Sequence, residues 1–196
     1  DRPMIYYPLD SLRDAGGREV CVVLGGREPD EIRELLGDGS DWGFSRLEFA
    51  VQKREGGIAD ALRCARSFAG DSPLCVILGD NVIQDRLDAH AAAFLKNGHE
   101  AMVLLSRVDD PERFGVPEFG PSGQVKRITE KPALPPSGYA VTGVYFYGPG
   151  VCAIIDSLPP SARGELEITD LNNYFAARGT LGHAELSGFW SDAGTI

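Results

Sequence analysis

Apolar and polar positions fall into blocks along the chain, and two periods recur. Glu19–Leu24 (EVCVVL), Leu74–Leu78 (LCVIL) and Ala101–Val108 (AMVLLSRV) are near-continuous apolar runs of strand length. That is the pattern of strands covered on both faces. Leu47–Val51 predicts a further strand. Between these runs apolar residues recur every three or four positions. Ile58–Phe68 (IADALRCARSF) predicts one helix, as do Pro29–Leu36 ending at Gly37 and Leu87–Asn97 ending at Gly98. Met4–Ala15 predicts a helix stopped by Gly16-Gly17 and kinked at Pro8, whose ring removes a backbone donor. Strands alternating with helices predict an α/β, Rossmann-like fold with a mostly parallel central sheet and helices on both faces. Beyond Asp109 the runs shorten to Val116–Phe119, Val125–Glu130 and Tyr139–Tyr147. They predict a mixed sheet or a small inserted β region. Helices return at Val151–Ser157 and Ile168–Arg178. No internal repeat interrupts the pattern, so residues 1–196 are expected to form a single domain.

One feature departs from the usual plan. A doubly wound sheet carries its phosphate loop after the first strand, near the sheet centre. Here the first recognisable element is a helix. The chain is therefore expected to be incomplete at both ends, since it also stops at Asp192–Ile196 with no closing helix.

Charge narrows the functions on offer. Nineteen basic residues against 29 acidic ones give a net charge of −10. Nonspecific binding along a nucleic-acid backbone needs a net basic surface, so this charge argues against a general phosphate-backbone binder and no nucleic-acid partner is expected. A small anion needs only a local cluster of donors. No apolar run approaches the ~18 residues that suggest a membrane span, and no secretory leader pattern is evident. Cys21, Cys64, Cys75 and Cys152 are widely spaced without a CxxC. They read as reduced thiols of a cytoplasmic protein. His90, His99 and His183 lack the spacing of zinc ligands.

Five stretches carry candidate chemistry, and each has an ordinary structural reading beside it. Leu78-Gly79-Asp80-Asn81 follows an apolar strand, at the sheet end where α/β ligands bind. A carboxylate there suits Mg²⁺ held with substrate phosphates; it would equally make a turn. Glu130-Lys131 offers a hydrogen-bond acceptor for sugar hydroxyls and a point charge for phosphate, or simply a surface pair before Pro132. Arg163, in Ser161-Ala162-Arg163-Gly164, can fork onto a phosphate, or belong to the lead-in of a helix. Gln52, five residues before Gly57, can read a base edge with donor and acceptor together. Gly57 leaves room for a flat ring, or marks a Gly-rich turn. Asp192, in Trp190-Ser191-Asp192-Ala193-Gly194, offers a second carboxylate.

The order of these strings carries more than any one of them. Pro3-Met4-Ile5-Tyr6-Tyr7-Pro8-Leu9, LLGDGSDWG (Leu35–Gly43), LGDN, DPERFGV (Asp110–Val116), EKP, YAVTGVYFY (Tyr139–Tyr147), SARGELEITD and WSDAGT run in an order that resembles the sugar-1-phosphate nucleotidyltransferases, most closely the glucose-1-phosphate thymidylyltransferases. The resemblance spans nearly the whole chain. It implies attack by a sugar-phosphate oxygen on the α-phosphorus of a nucleoside triphosphate, dTTP, with release of pyrophosphate. It implies that Gln52 and Gly57 hold the base, and that Gly115, Glu130 and Val141 contact the sugar. Lys131 and Arg163 would neutralise its phosphate, and Asp80 and Asp192 would hold Mg²⁺. Homo-oligomers are also implied.

The same resemblance implies an opening strand and a GGxGTRLxPxTxxxxK stretch upstream, whose Gly-rich backbone and Arg bind the triphosphate. Asp60 stands where the short-form members commonly carry Gln. Three other readings compete: a non-catalytic sugar-nucleotide-binding regulator of the same fold, a transferase using UTP or another sugar 1-phosphate, and a glycosyltransferase. The last typically needs a DxD pair, and LGDN has a single Asp. A dehydrogenase is disfavoured, since no GxGxxG follows a strand.

Overall fold

The computed structural model describes residues 2–25 and 29–195; Asp1 and Ile196, the ends of the expected domain, lie outside them. Most elements appear where the periodicity puts them; the strands at Asn81–Ile83, Leu181–Glu185 and Trp190–Asp192 are additions to that pattern. Helix α1 (Tyr6–Asp14) precedes β1 (Glu19–Gly25), α2 (Pro29–Leu36) and β2 (Arg46–Gln52). Then come α3 (Ile58–Cys64), α4 (Arg66–Ala69), β3 (Leu74–Ile77) and β4 (Asn81–Ile83). Helix α5 (Asp88–Asn97), β5 (Ala101–Arg107), β6 (Gly115–Phe119), β7 (Val125–Glu130) and β8 (Tyr139–Tyr147) follow. The chain continues through α6 (Val151–Ser157), α7 (Ile168–Ala177), β9 (Leu181–Glu185) and β10 (Trp190–Asp192).

Two local expectations are corrected. The helix expected over Met4–Ala15 runs over Tyr6–Asp14 and is unbroken at Pro8. Pro8 is the third helical residue, and donors in the first turn have no intrahelical acceptor to lose. The helix expected over Ile58–Phe68 is split at Ala65 (φ −86°, ψ 7°). Beyond the break Arg66 donates to the Cys152 carbonyl on α6 at 2.9 Å and pairs with Asp156.

Among the described residues the central sheet has four strands in the order β3-β8-β5-β9. Strands β5 and β9 pair in parallel, while β8 runs antiparallel to both β3 and β5. Strands β3, β5 and β9 thus share one direction and β8 alone opposes them. Helices cover both faces, as the apolar runs require. Ala101, Val103 and Leu105 of β5 join Leu62 of α3, Ile155 of α6 and Leu171 and Phe175 of α7 in one core cluster. Met102 and Leu104, pointing the other way, join Leu87, Phe94 of α5 and Phe146. The alternation follows from the two-residue period of a strand. Strands β6 and β7 form a separate antiparallel pair, the expected inserted β region.

Strands β1 and β2 form a two-stranded parallel sheet with its own cluster of Leu9, Val20, Val22, Leu24, Leu36 and Phe44. Among the described residues, β1 pairs only with β2, and β3 only with β8. A cavity of about 570 Å³ is lined by Val20–Val23 of β1, Leu74–Ile77 of β3 and the apolar side of α1. Two strand edges with unused backbone donors and acceptors therefore look onto one apolar slot.

Candidate active site

The end of β3 builds the first part of the site. The Leu78 N–H bonds the Gly143 carbonyl at 2.9 Å, and the chain turns through Gly79 and Asp80 into β4. Asn81, 1% exposed, is the anchor of this turn. Its Oδ1 accepts from the Gly143 N–H at 2.9 Å and from Trp190 Nε1 at 2.7 Å. Its Nδ2 is left to donate to Asp80 Oδ1 at 2.9 Å. β8, β10 and the Asp80 carboxylate are thereby fixed through one side chain.

Strand β10 brings the second carboxylate. Asp192 stands opposite Asn81 in the β4–β10 ladder. The Ala193 N–H bonds the Asp80 carbonyl, and the Gly194 N–H bonds Asp192 Oδ1, both at 2.9 Å. A Cβ on Gly194 would fall 2.5 Å from Asp80 Oδ2 and 3.2 Å from Asp192 Oδ1. The two carboxylates therefore converge on the space above that glycine. Burial pushes the Asp192 carboxyl above its ordinary range, and the Asp80 charge adds to the rise. The Gly194 N–H, Arg113 and Lys131 oppose it. Among the described residues no cluster of three or more acid, His or Cys ligands forms. A pair of converging carboxylates fits a cation that completes its shell with phosphate oxygens and water.

The β6–β7 pair supplies the opposite wall. A cavity of about 150 Å³ is lined by Arg113, Gly115, Glu130, Lys131, Val141 and Asp192, among others. Gly115 faces Glu130 across the ladder. A Cβ there would lie 3.2 Å from Ile128 Cγ2 and 3.3 Å from Glu130 Oε2. Glu130 accepts from Thr169 Oγ1 at 3.0 Å, in the first turn of α7. Lys131 has φ +43°, a conformation L-residues avoid, and its N–H is held by the Phe114 carbonyl at 2.9 Å. Strain of this kind persists where surrounding structure imposes it, and it gathers at functional sites. The Tyr145 phenol lines the same cavity and is pushed up by burial, then by Glu130, Asp80 and Asp192. One buried ring thus feels three carboxylates that lie far apart in sequence.

Gln52 and Gly57, joined by a hydrogen bond from Gln52 Nε2 to the Gly57 carbonyl, adjoin this cavity through Ile58. Gly57 precedes α3 with φ +88°, and a Cβ there would meet the Leu166 carbonyl oxygen at 2.4 Å. The loops are zipped together: the Leu166 N–H bonds the Gly56 carbonyl at 2.7 Å, and the Ala59 N–H bonds the Leu166 carbonyl at 3.1 Å. Ile58, next in sequence, lines the cavity itself.

The fold therefore gathers Asp80, Gly115, Glu130, Lys131, Val141 and Asp192 at one place and sets Gln52 and Gly57 beside it. Arg163 is not brought in. Its side chain is exposed and held by Glu167 at 2.9 Å and Glu165 at 3.4 Å. It remains close enough to Glu130 to feel its charge. Sequence reasoning gave no role to Asn81, Arg113, Tyr145 or Trp190. All four lie in the ordered strings, but nothing in their spacing marks them as cavity residues.

The whole chain, residues 1–196, matches the family described as "Nucleotidyl transferase". A glucose-1-phosphate thymidylyltransferase of an Actinoplanes species is 44% identical over 201 residues, covering all of this chain and 65% of that protein. One from Neisseria gonorrhoeae is 44% identical over 199 residues, covering all of this chain and 68% of the relative. The chain thus spans about two thirds of the length of these curated relatives. A crystal structure described as a putative glucose-1-phosphate thymidylyltransferase from Bacillus anthracis, in complex with a sucrose, superposes with a TM-score of 0.92 at 42% identity. It covers 98% of this chain and 78% of that one. A UDP-glucose pyrophosphorylase shares the fold at a TM-score of 0.85 and 21% identity, covering all of this chain and 83% of that one.

Proposed function

The chain belongs to the nucleotidyl transferase family, and from that premise we propose that the protein joins dTTP and glucose 1-phosphate to give dTDP-glucose and pyrophosphate. The observation that carries the reading is the single cavity bounded by Glu130 and Lys131 on one wall and Asp192 on the other, with Asp80 adjacent. A sugar phosphate seated there has Glu130 and the Gly115 backbone for its hydroxyls, and Lys131 for its phosphate. The sugar-phosphate oxygen forms a bond to the α-phosphorus, the bond to the β-phosphate bridge breaks, and pyrophosphate leaves. Such in-line displacement depends on positioning and on opposing the charge of the transferring group.

Nucleotidyltransferases of this family generally use a divalent metal. Here Asp80 and Asp192 would hold it, with Mg²⁺ as the ion; when bound it neutralises phosphate charge. The shelf of Gln52 and Gly57 receives the thymine. The free thiols of its cysteines suit the reducing cytoplasm, which we take as the protein's place. Among the described residues no helix is long and apolar enough to cross a membrane.

The slot between β1 and β3 supports a division of labour. It has the two strand edges that one further strand would need, and its wall runs on through Leu78 and Gly79 toward Asp80. An opening strand seated there would deliver a Gly-rich triphosphate loop beside the carboxylates.

The test is pyrophosphate release from dTTP and glucose 1-phosphate with Mg²⁺. A protein that includes the upstream strand and loop should turn over, and Asp80→Asn should lower kcat by about 10²–10³, the usual loss for one stabilising group. The 196-residue chain alone should give no product. Absence of turnover in the longer protein with dTTP or UTP, or unchanged kcat in the variant, would overturn the reading.

A further inference from the structure

Asp60 is 6% exposed, in the first turn of α3. Its two oxygens have different tasks. Oδ1 pairs with Arg63 one turn on. Oδ2 accepts from Gln52 Nε2 at 2.8 Å. The same Nε2 also donates to the Gly57 carbonyl at 3.0 Å. The fit is close, since a Cβ on Gly56 would fall 2.3 Å from Asp60 Oδ2.

A carboxamide has one donating end and one accepting end. Both groups facing Nε2 are acceptors only, a carboxylate and a carbonyl. Turned end over end, Gln52 would set Oε1 against two oxygens with no hydrogen between them. Its orientation is thus dictated by its partners. Both Nε2 hydrogens are committed, and Oε1 takes no partner among the described residues. No buried side-chain polar atom among them is unsatisfied, so Oε1 is open to solvent.

We infer that Asp60 is a positioning residue for nucleobase selection: it locks Gln52 with its carbonyl oxygen outward, so the shelf accepts bases that present a ring N–H. Uracil and thymine carry that hydrogen on N3. Cytosine carries a lone pair there and would face Oε1 acceptor to acceptor. The inference rests on the reading of Gln52 and Gly57 as the base shelf. A site built to pair a donor rejects an analogue lacking it more strongly than an apolar pocket rejects a missing methyl.

The experiment uses the full-length protein and its Asp60→Asn variant. The first readout is the ratio of kcat/KM for UTP over CTP with glucose 1-phosphate. The carboxamide introduced by Asp60→Asn offers an NH₂ of its own, so Gln52 can reverse, and the ratio should fall about tenfold or more. The second readout is hydrogen exchange of the Gln52 side-chain NH₂ by NMR, which needs no catalysis. It should be slow in the wild type and faster in the variant. An unchanged UTP/CTP ratio overturns the inference. So does fast Gln52 exchange in the wild type, a result available even if the variant fails to fold. If the wild type turns over no nucleotide, the proposed reaction falls, and with it the nucleobase role. Slow exchange in that case would leave only the hydrogen-bonded orientation of Gln52.

Discussion

At the scale of single residues, the site depends on side chains that never need to touch a substrate. Asn81 is the clearest. It satisfies two N–H donors from different strands and spends its own donor on Asp80. The close approach is visible from the other side, where a Cβ on Gly143 would lie 2.5 Å from Asn81 Nδ2. Asn81→Ala would orphan the Gly143 N–H and Trp190 Nε1. At about 1–3 kcal/mol per stranded donor, urea unfolding should show a loss of about 2–6 kcal/mol. Asn81→Asp differs instructively. A carboxylate still accepts from both donors, but it has no hydrogen for Asp80 and sets a buried negative charge against that carboxylate, so this variant too should lose stability and phosphoryl transfer should fall steeply. A loss below about 1 kcal/mol in Asn81→Ala would refute this account of Asn81.

At the scale of elements, the exposed edges of β1 and β3 stand out. A strand edge with free donors and acceptors is a template for another strand. Here two such edges share one slot that is lined largely by aliphatic side chains. In hydrogen–deuterium exchange, amides of Val20–Val23 and Leu74–Ile77 that point into the slot should exchange rapidly in the 196-residue chain. Amides of β5, flanked by β8 and β9, should be protected. In a protein carrying an upstream strand, the β1 and β3 amides should become as protected as those of β5. Unchanged rapid exchange in that protein would mean that the slot is not filled by a strand.

At the scale of the whole molecule, stability should carry a shallow pH dependence traceable to one histidine. His183 of β9 lies 5.4 Å from the Phe119 ring, centroid to centroid, joining the central sheet to the β6–β7 pair. Partial burial lowers its pKa below 6.5, and neighbouring His99 lowers it further. The unfolded chain then takes up a proton before the native state does. The contribution is present in full above about pH 6.5 and is lost as pH falls through the lowered native value. The urea midpoint should drop over that window, and His183→Gln should flatten the drop; an unchanged slope would remove His183 as its source.

How much of this molecule the sequence dictated differs between elements and site. Apolar runs such as LCVIL and AMVLLSRV are too short for a buried helix and are bounded by turn residues such as Pro73 and Gly79, which favours covered strands. Pro29–Leu36 and Val151–Ser157 fold over the ranges their patterns predict. The ordered strings were sufficient for the family, and they singled out Gly115, Glu130, Lys131, Val141 and Asp192 among the residues that line the cavity. Where two parts of the chain must meet, the sequence was silent. Short strands such as Asn81–Ile83 and Trp190–Asp192 have no periodicity of their own; each exists because the other pairs with it. The reversal of β8 within the sheet, the split at Ala65 and the withdrawal of Arg163 to its own acidic loop were likewise tertiary decisions. So was the orientation of Gln52, settled by Asp60 eight residues on. Periodicity records which faces must leave water. It does not record which carboxylates will share a cavity, because that is fixed by contacts between segments with no local trace of each other.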